Sequence, residues 1–166
     1  MESKLAASSC PLPVARSGTY RTEKALVDDF VALLQTIWRH PFGPLKTRRE
    51  FFYQRGKTDV VALDESGRVI AFEAKLNRWR KALHQAYRNT CFAHVSYVVL
   101  PQGVATLASR YAAEFRRRGV GLCYMGADEE LVVLLDADEG RPVEPWLSSK
   151  AAEGFRPTEE DAVEAE

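Results

Sequence analysis

Cysteine is scarce. The 166 residues hold three, Cys10, Cys91 and Cys123, and none stands in a CxxC spacing, which excludes a disulfide framework and a thiolate zinc site and fits a reducing compartment. Histidine is equally thin: His40, His84 and His94 share no metal-ligand spacing and read as structural. Long apolar runs are missing, since none approaches the roughly 18 residues of a membrane span. The first stretch, MESKLAASSCPLPVARSG, lacks both a basic start and a continuous apolar core, so it does not read as a secretory signal. The expectation is a soluble, cytoplasmic protein without a membrane partner.

What is present is ordinary for a globular chain. With 46% hydrophobic and 28% charged residues, wholesale disorder, collagen-like repeats and coiled-coil composition are excluded, and the length allows one domain with tails. The net charge of zero hides an asymmetry. Residues 19 to 125 carry 18 basic against 9 acidic side chains, whereas residues 126 to 166 carry 3 against 13. A basic body followed by an acidic tail suggests a polyanionic partner for the body and a tail able to compete for the same surface.

Residues 1–18, with Pro11, Pro13, Gly18 and several serines, read as a flexible leader. The folded domain spans 19–137. From Thr22, available as an N-cap, Leu26, Phe30, Val31, Leu33, Leu34 and Ile37 are spaced for an amphipathic helix that ends before Pro41. Arg49 to Gln54 has the aromatic content of a first strand. TDVVAL and RVIAFEAK, joined by an acidic, glycine-containing turn, predict a hairpin. NRWRKALHQAYRNT predicts a helix with a basic face. His94 to Leu100 reads as a buried strand, Val104 to Arg118 as one helix ending at Gly119, and Val120–Met125 and Leu131–Leu135 as two further strands. From Asp138 the chain is acidic and short of large apolar residues apart from Trp146 and Phe155, so 138–166 is expected to be a mostly disordered or loosely docked tail. The order αβββαβαβ calls for a mixed α/β sheet with helices on both faces, an antiparallel meander first and a parallel crossover later.

The chemistry is concentrated on the hairpin. Side chains two apart in a strand share a face, so Glu73 and Lys75 are neighbours. If Leu63 pairs with Val69, then Val61 pairs with Ala71 and Asp59 lies opposite Glu73; a slip of one residue would send Asp59 to the far face. Facing carboxylates repel unless a positive charge compensates. Hard oxygen donors of this kind suit Mg²⁺ or Mn²⁺, with water and substrate phosphate completing the sphere. Lys75 beside them can orient a hydroxide or stabilise charge developing on a phosphate.

Asp59 after Thr58, the triplet Glu73-Ala74-Lys75 and the surrounding element order resemble the PD-(D/E)xK nuclease superfamily, the restriction-endonuclease-like fold that includes Holliday-junction resolvases. The resemblance covers roughly residues 19 to 135, on element order, and departs from the pattern in having Thr58 where proline often stands. It implies a metal-dependent endonuclease in which Asp59 and Glu73 ligate Mg²⁺, Lys75 assists the attacking water, and Glu23, near the start of the first helix, joins the metal site. Family members also place a Gln or a basic residue on the helix after the triplet, which Gln85 or Lys81 matches. Many dimerise to cut two strands, so a homodimer is the expectation.

The nucleic-acid surface follows from the same helix. Arg78, Lys81, Gln85 and Arg88 form one face and can hold phosphates of a nucleic acid, DNA being favoured by the resemblance; such contacts set position and salt dependence more than sequence preference. Lys46, Arg48, Arg49, Arg55 and Lys57 flank the first two strands and add to the same potential. Tyr53 or Trp79 could stack on unpaired bases, although aromatics at such spacings are more often core. The alternative is a noncatalytic nucleic-acid-binding or scaffold module of a repair or defence assembly, against which the intact Asp, Glu and Lys set argues.

Overall fold

The computed structural model describes residues 20–157. The 1–18 leader and the last residues of the acidic segment, 158–166, lie outside the described residues. The elements run α1 (Glu23–Leu34), a single 3₁₀ turn (Ile37–Arg39), β1 (Leu45–Tyr53), β2 (Gly56–Asp64), β3 (Val69–Ala74), α2 (Trp79–Asn89), β4 (Val95–Val99), α3 (Gln102–Ser109), α4 (Ala112–Arg118), β5 (Gly121–Met125), β6 (Leu131–Leu135) and α5 (Pro145–Glu153). The six strands form one mixed sheet in sequential order. The β1–β2, β2–β3 and β5–β6 pairs are antiparallel, whereas β3–β4 and β4–β5 are parallel and bridged by helical crossovers.

Two apolar layers sandwich the sheet. On one face Leu26, Phe30 and Leu34 of α1 meet Val60, Ala62, Ile70, Phe72 and Val99. On the other, Trp79, Leu83 and Ala86 of α2 meet Val98, Phe115 and Leu122, and beside them Phe51, Val61, Ala71 and Phe92 meet Leu147 and Ala151 of α5. Alternation along β3 explains the division, because Ile70 and Phe72 point one way and Val69 and Ala71 the other. α1 starts where expected: the Thr22 hydroxyl accepts from the Ala25 N–H at 3.1 Å, satisfying one of the helix's orphan donors.

Three elements differ from the sequence reading. β1 begins at Leu45, ahead of the expected Arg49. The predicted helix over 104–118 is two helices. Arg110 N and Tyr111 N bond back three residues, to Leu107 O and Ala108 O, tightening the last turn of α3, and Tyr111 leaves helical geometry with its ring tilted against Trp79, centroids 5.0 Å apart. The third is the segment after 138, expected to be mostly disordered or loosely docked, which contains α5. Its Leu147 and Ala151, one helical turn apart, are 3% and 1% exposed, so these two apolar contacts dock the helix on the sheet. Phe155 packs partly against the same cluster, while Trp146 remains exposed.

Close packing also demands one glycine. A Cβ at Gly121 would lie 2.3 Å from the Tyr97 ring and 2.8 Å from Ala137 N, so β5 can approach β4 only without a side chain there. No helix among the described residues is long and apolar enough to cross a membrane.

Candidate functional site

The hairpin has the register on which the sequence reading was conditioned: Leu63 pairs with Val69, Val61 with Ala71 and Val60 with Phe72. Its connection is built by Asp64, whose Oδ1 accepts from Ser66 N at 3.0 Å and Arg68 N at 2.9 Å, an Asx-type turn that fixes the register from the loop side. The paired residues stop at Val60 and Phe72, so Asp59 and Glu73 stand where the two strands begin to part.

β1 and β2 are distorted at the same level. Glu50 holds a left-handed φ of +56°, and the paired residues skip from Arg49–Val60 to Phe51–Thr58. The distortion inverts the side-chain phase. Leu45 packs on the α1 side, yet Phe51 and Tyr53, in the same alternation, pack on the opposite side. Thr58 likewise turns toward α2, where its hydroxyl donates to Asn89. Asp59 is thereby released from the regular ladder, and its Oδ2 accepts from Ala74 N at 3.0 Å.

The two carboxyls meet. Glu73 is 1% exposed, and Asp59, whose Oδ2 is bonded to the backbone of the next residue, Ala74, lies close enough for its charge to act on the Glu73 carboxyl. Burial, and secondarily the Asp59 charge, push the Glu73 carboxyl up to about 8, against the opposing pull of the Asn89 hydrogen bond and of Lys75. Asn89 orients Glu73. Its Oδ1 accepts from Tyr53 OH at 2.7 Å and Thr58 Oγ1 at 2.8 Å, which leaves Nδ2 to donate to Glu73 Oε1 at 2.8 Å. Two hydroxyl donors on one oxygen fix which way the amide faces. Burial is the main reason that the Tyr53 phenol is pushed up to about 12, so it stays a donor.

Asn89 was missed in the sequence reading, although a signal existed. Trp79, Ala82, Leu83, Ala86 and Asn89 form the buried stripe of α2, and a lone amide in such a stripe requires a buried partner.

Lys75 stands just past the end of β3, its side chain 14% exposed, with Nζ 3.1 Å from Glu23 Oε2. Glu23 therefore reaches the site through the lysine. Among the described residues no group of three His, Cys, Asp or Glu side chains is gathered as a metal cluster, so the expected third carboxylate does not converge with Asp59 and Glu73. The remaining donor chemistry is two adjacent carboxylates, a set that Mg²⁺ or Mn²⁺ accepts when water and phosphate fill the other positions.

The expected basic face of α2 is split. Arg78 and Lys81 are exposed. Gln85 and Arg88 are half-buried, and Gln85 Oε1 and Arg88 Nε are shielded from solvent without a hydrogen-bond partner among the described residues. Arg88 Nη1 donates to Arg55 O at 3.0 Å, tying α2 to the β1–β2 turn. Of the flanking cations, Arg49 pairs with Asp28, Lys57 with Glu50 and Arg55 with Glu144. Trp79 is core and stacks on Phe115 at 5.8 Å.

No family model and no curated protein matches this chain. Among solved structures, a protein of unknown function from Silicibacter pomeroyi superposes with a TM-score of 0.57 at 15% identity, over 81% of this chain and 84% of that one. The two share a fold. A repair endonuclease from Pyrococcus abyssi superposes more loosely, with a TM-score of 0.38 at 14% identity, over 74% of this chain and 50% of that one.

Proposed function

We propose that this protein is a metal-dependent nuclease of the PD-(D/E)xK type that hydrolyses phosphodiester bonds of nucleic acid, DNA being the expected substrate. The observation that carries the reading is the meeting of Asp59 and Glu73 at the parting end of the β2–β3 hairpin, with Lys75 two residues along the chain. A core this apolar gains nothing from two neighbouring carboxyls. Burying even one carboxylate is costly unless a cation or hydrogen bonds compensate.

Asp59 and Glu73 are the residues that would hold Mg²⁺ or Mn²⁺. Such an ion, when bound, supplies a Lewis acid for a phosphate oxygen and an activated water. Asn89, with its amide orientation fixed, presents Glu73 in one rotamer, so the carboxylate pays little orientation entropy when it binds. Lys75, held by Glu23 and mostly shielded from water, keeps a positive charge where negative charge accumulates on the phosphoryl oxygens in the transition state. Glu23 is assigned here as the partner that positions Lys75.

The test is cleavage of single-stranded, duplex, branched and RNA substrates with Mg²⁺ or Mn²⁺, comparing the wild type with Asp59→Asn and Lys75→Ala. Cleavage should require the metal and be lost in Asp59→Asn. Lys75→Ala should lower the rate far more than the affinity, because one phosphate contact among many contributes modestly to binding. Cleavage persisting in excess EDTA, or full activity in Asp59→Asn, would overturn the assignment.

A further inference from the structure

The tip of the β1–β2 hairpin carries an aromatic side chain that the fold does not use. Phe51 is 5% exposed and Tyr53 is tied to Asn89, but Phe52 between them is 65% exposed. Alternation turns it outward, where an edge strand ordinarily carries a polar or charged residue. Its cross-strand partner is Lys57, whose Nζ lies 6.0 Å from the ring centroid, within range of a cation–π contact. The turn residue Arg55 is also largely exposed.

This tip is held firmly. Arg88 Nη1 bonds the Arg55 carbonyl at 3.0 Å, Gly56 supplies the φ of +146° that the turn needs, and Tyr53 OH is anchored on Asn89. It also adjoins the candidate site. Lys57 precedes Asp59 by two residues on the same strand, ~7 Å along it. Residues 54–57 read Gln-Arg-Gly-Lys and contain no acid.

An exposed planar ring, flanked by cations on a fixed turn beside carboxylates, matches the chemistry of a base with its phosphates. Stacking is possible only for a base free of its duplex neighbours. We propose that the β1–β2 hairpin tip is a stacking platform for an unpaired nucleobase, with Phe52 under the base and Lys57 and Arg55 at its flanking phosphates. This inference rests on the nuclease reading and names its substrate class: nucleic acid with a single-stranded segment at the cleavage point. Glu50 and Glu144, which neutralise Lys57 and Arg55 in the free protein, give way to phosphate when the strand is bound.

The test is binding in EDTA, where no metal-dependent cleavage intrudes. Fluorescence anisotropy of a labelled single-stranded oligonucleotide and of a blunt duplex is measured with the full-length wild type, Phe52→Ala and Phe52→Trp. Phe52→Ala should weaken single-strand binding about 10-fold, as expected for one lost stacked base, and leave blunt-duplex binding within about two-fold, with Phe52→Trp restoring the single-strand affinity. Equal losses on both probes, no loss on either, or absence of single-strand binding by the wild type would overturn the platform. So would unchanged binding together with a sedimentation coefficient altered by Phe52→Ala, which would make the edge a self-association surface. A wild type that binds as described but cleaves nothing with Mg²⁺ or Mn²⁺ would instead refute the nuclease reading and leave the platform standing.

Discussion

Replacing Glu73 by glutamine should stabilise the metal-free protein at alkaline pH and do little at acid pH. In the fold, burial first and Asp59 second push the Glu73 carboxyl up to about 8, from an ordinary value of 4.5. Between those values the folded protein keeps a proton that the unfolded chain has released, so stability falls as pH rises through the window and is flat, for this group, on either side. At about 1.4 kcal/mol per pH unit, the loss across the window is bounded at ~5 kcal/mol. Glu73→Gln retains an oxygen for the Asn89 amide, offers Asp59 a donor and has nothing to ionise. Urea unfolding in EDTA from pH 5 to pH 9 should show wild type and variant within ~1 kcal/mol at the acid end and the variant a few kcal/mol more stable near pH 8. Parallel pH profiles would refute the buried, mutually repelling pair.

Asn89→Leu removes three hydrogen bonds at once and strands the buried Thr58 hydroxyl, so it should cost ~3 to 5 kcal/mol in the same unfolding assay, whereas Tyr53→Phe, which leaves Thr58 bonded to Asn89, should cost only ~1 kcal/mol. Equal costs would show that Asn89 is not the hub. Leu147→Ala should lower stability by ~2 to 4 kcal/mol, since α5 is docked through Leu147 and Ala151. A cost below ~0.5 kcal/mol by chemical denaturation would mean that α5 contributes nothing to the folded core.

The parts legible in the sequence were those governed by short-range rules. Alternation in TDVVAL and RVIAFEAK fixed the phase, because a slip of one residue would separate Val61 from Ala71 and Val60 from Phe72, and the short turn at Asp64 to Arg68 fixed the rest. Thr22 announced α1. Other features depend on distant partners. Glu50 adopts a positive φ without a glycine to signal it, so the phase change that turns Phe51 inward and Phe52 outward is invisible to periodicity. The break at Tyr111 comes where its ring meets Trp79, more than thirty residues earlier in the chain. α5 hides in an acidic stretch because its docking needs only Leu147 and Ala151. At the site, spacing brought Asp59 and Glu73 together, but that Glu23 would answer to Lys75 depended on how α1 crosses the sheet. Gln85 and Arg88 were legible as one face of α2 with Arg78 and Lys81, yet Arg88 is tied to the β1–β2 turn and Gln85 is half-buried, while Arg78 and Lys81 stay exposed.

The central claim is that Asp59 and Glu73 form one divalent-cation site. Isothermal titration of Mn²⁺ into the wild type, Asp59→Asn and Glu73→Gln at pH 8, without nucleic acid, tests it most directly. The account predicts one saturable site in the wild type, a proton released on binding because the metal displaces the one that the buried Glu73 carboxyl holds, and affinity lowered at least ten-fold in each variant. Wild-type affinity retained in both variants, or no saturable binding by the wild type, would contradict it.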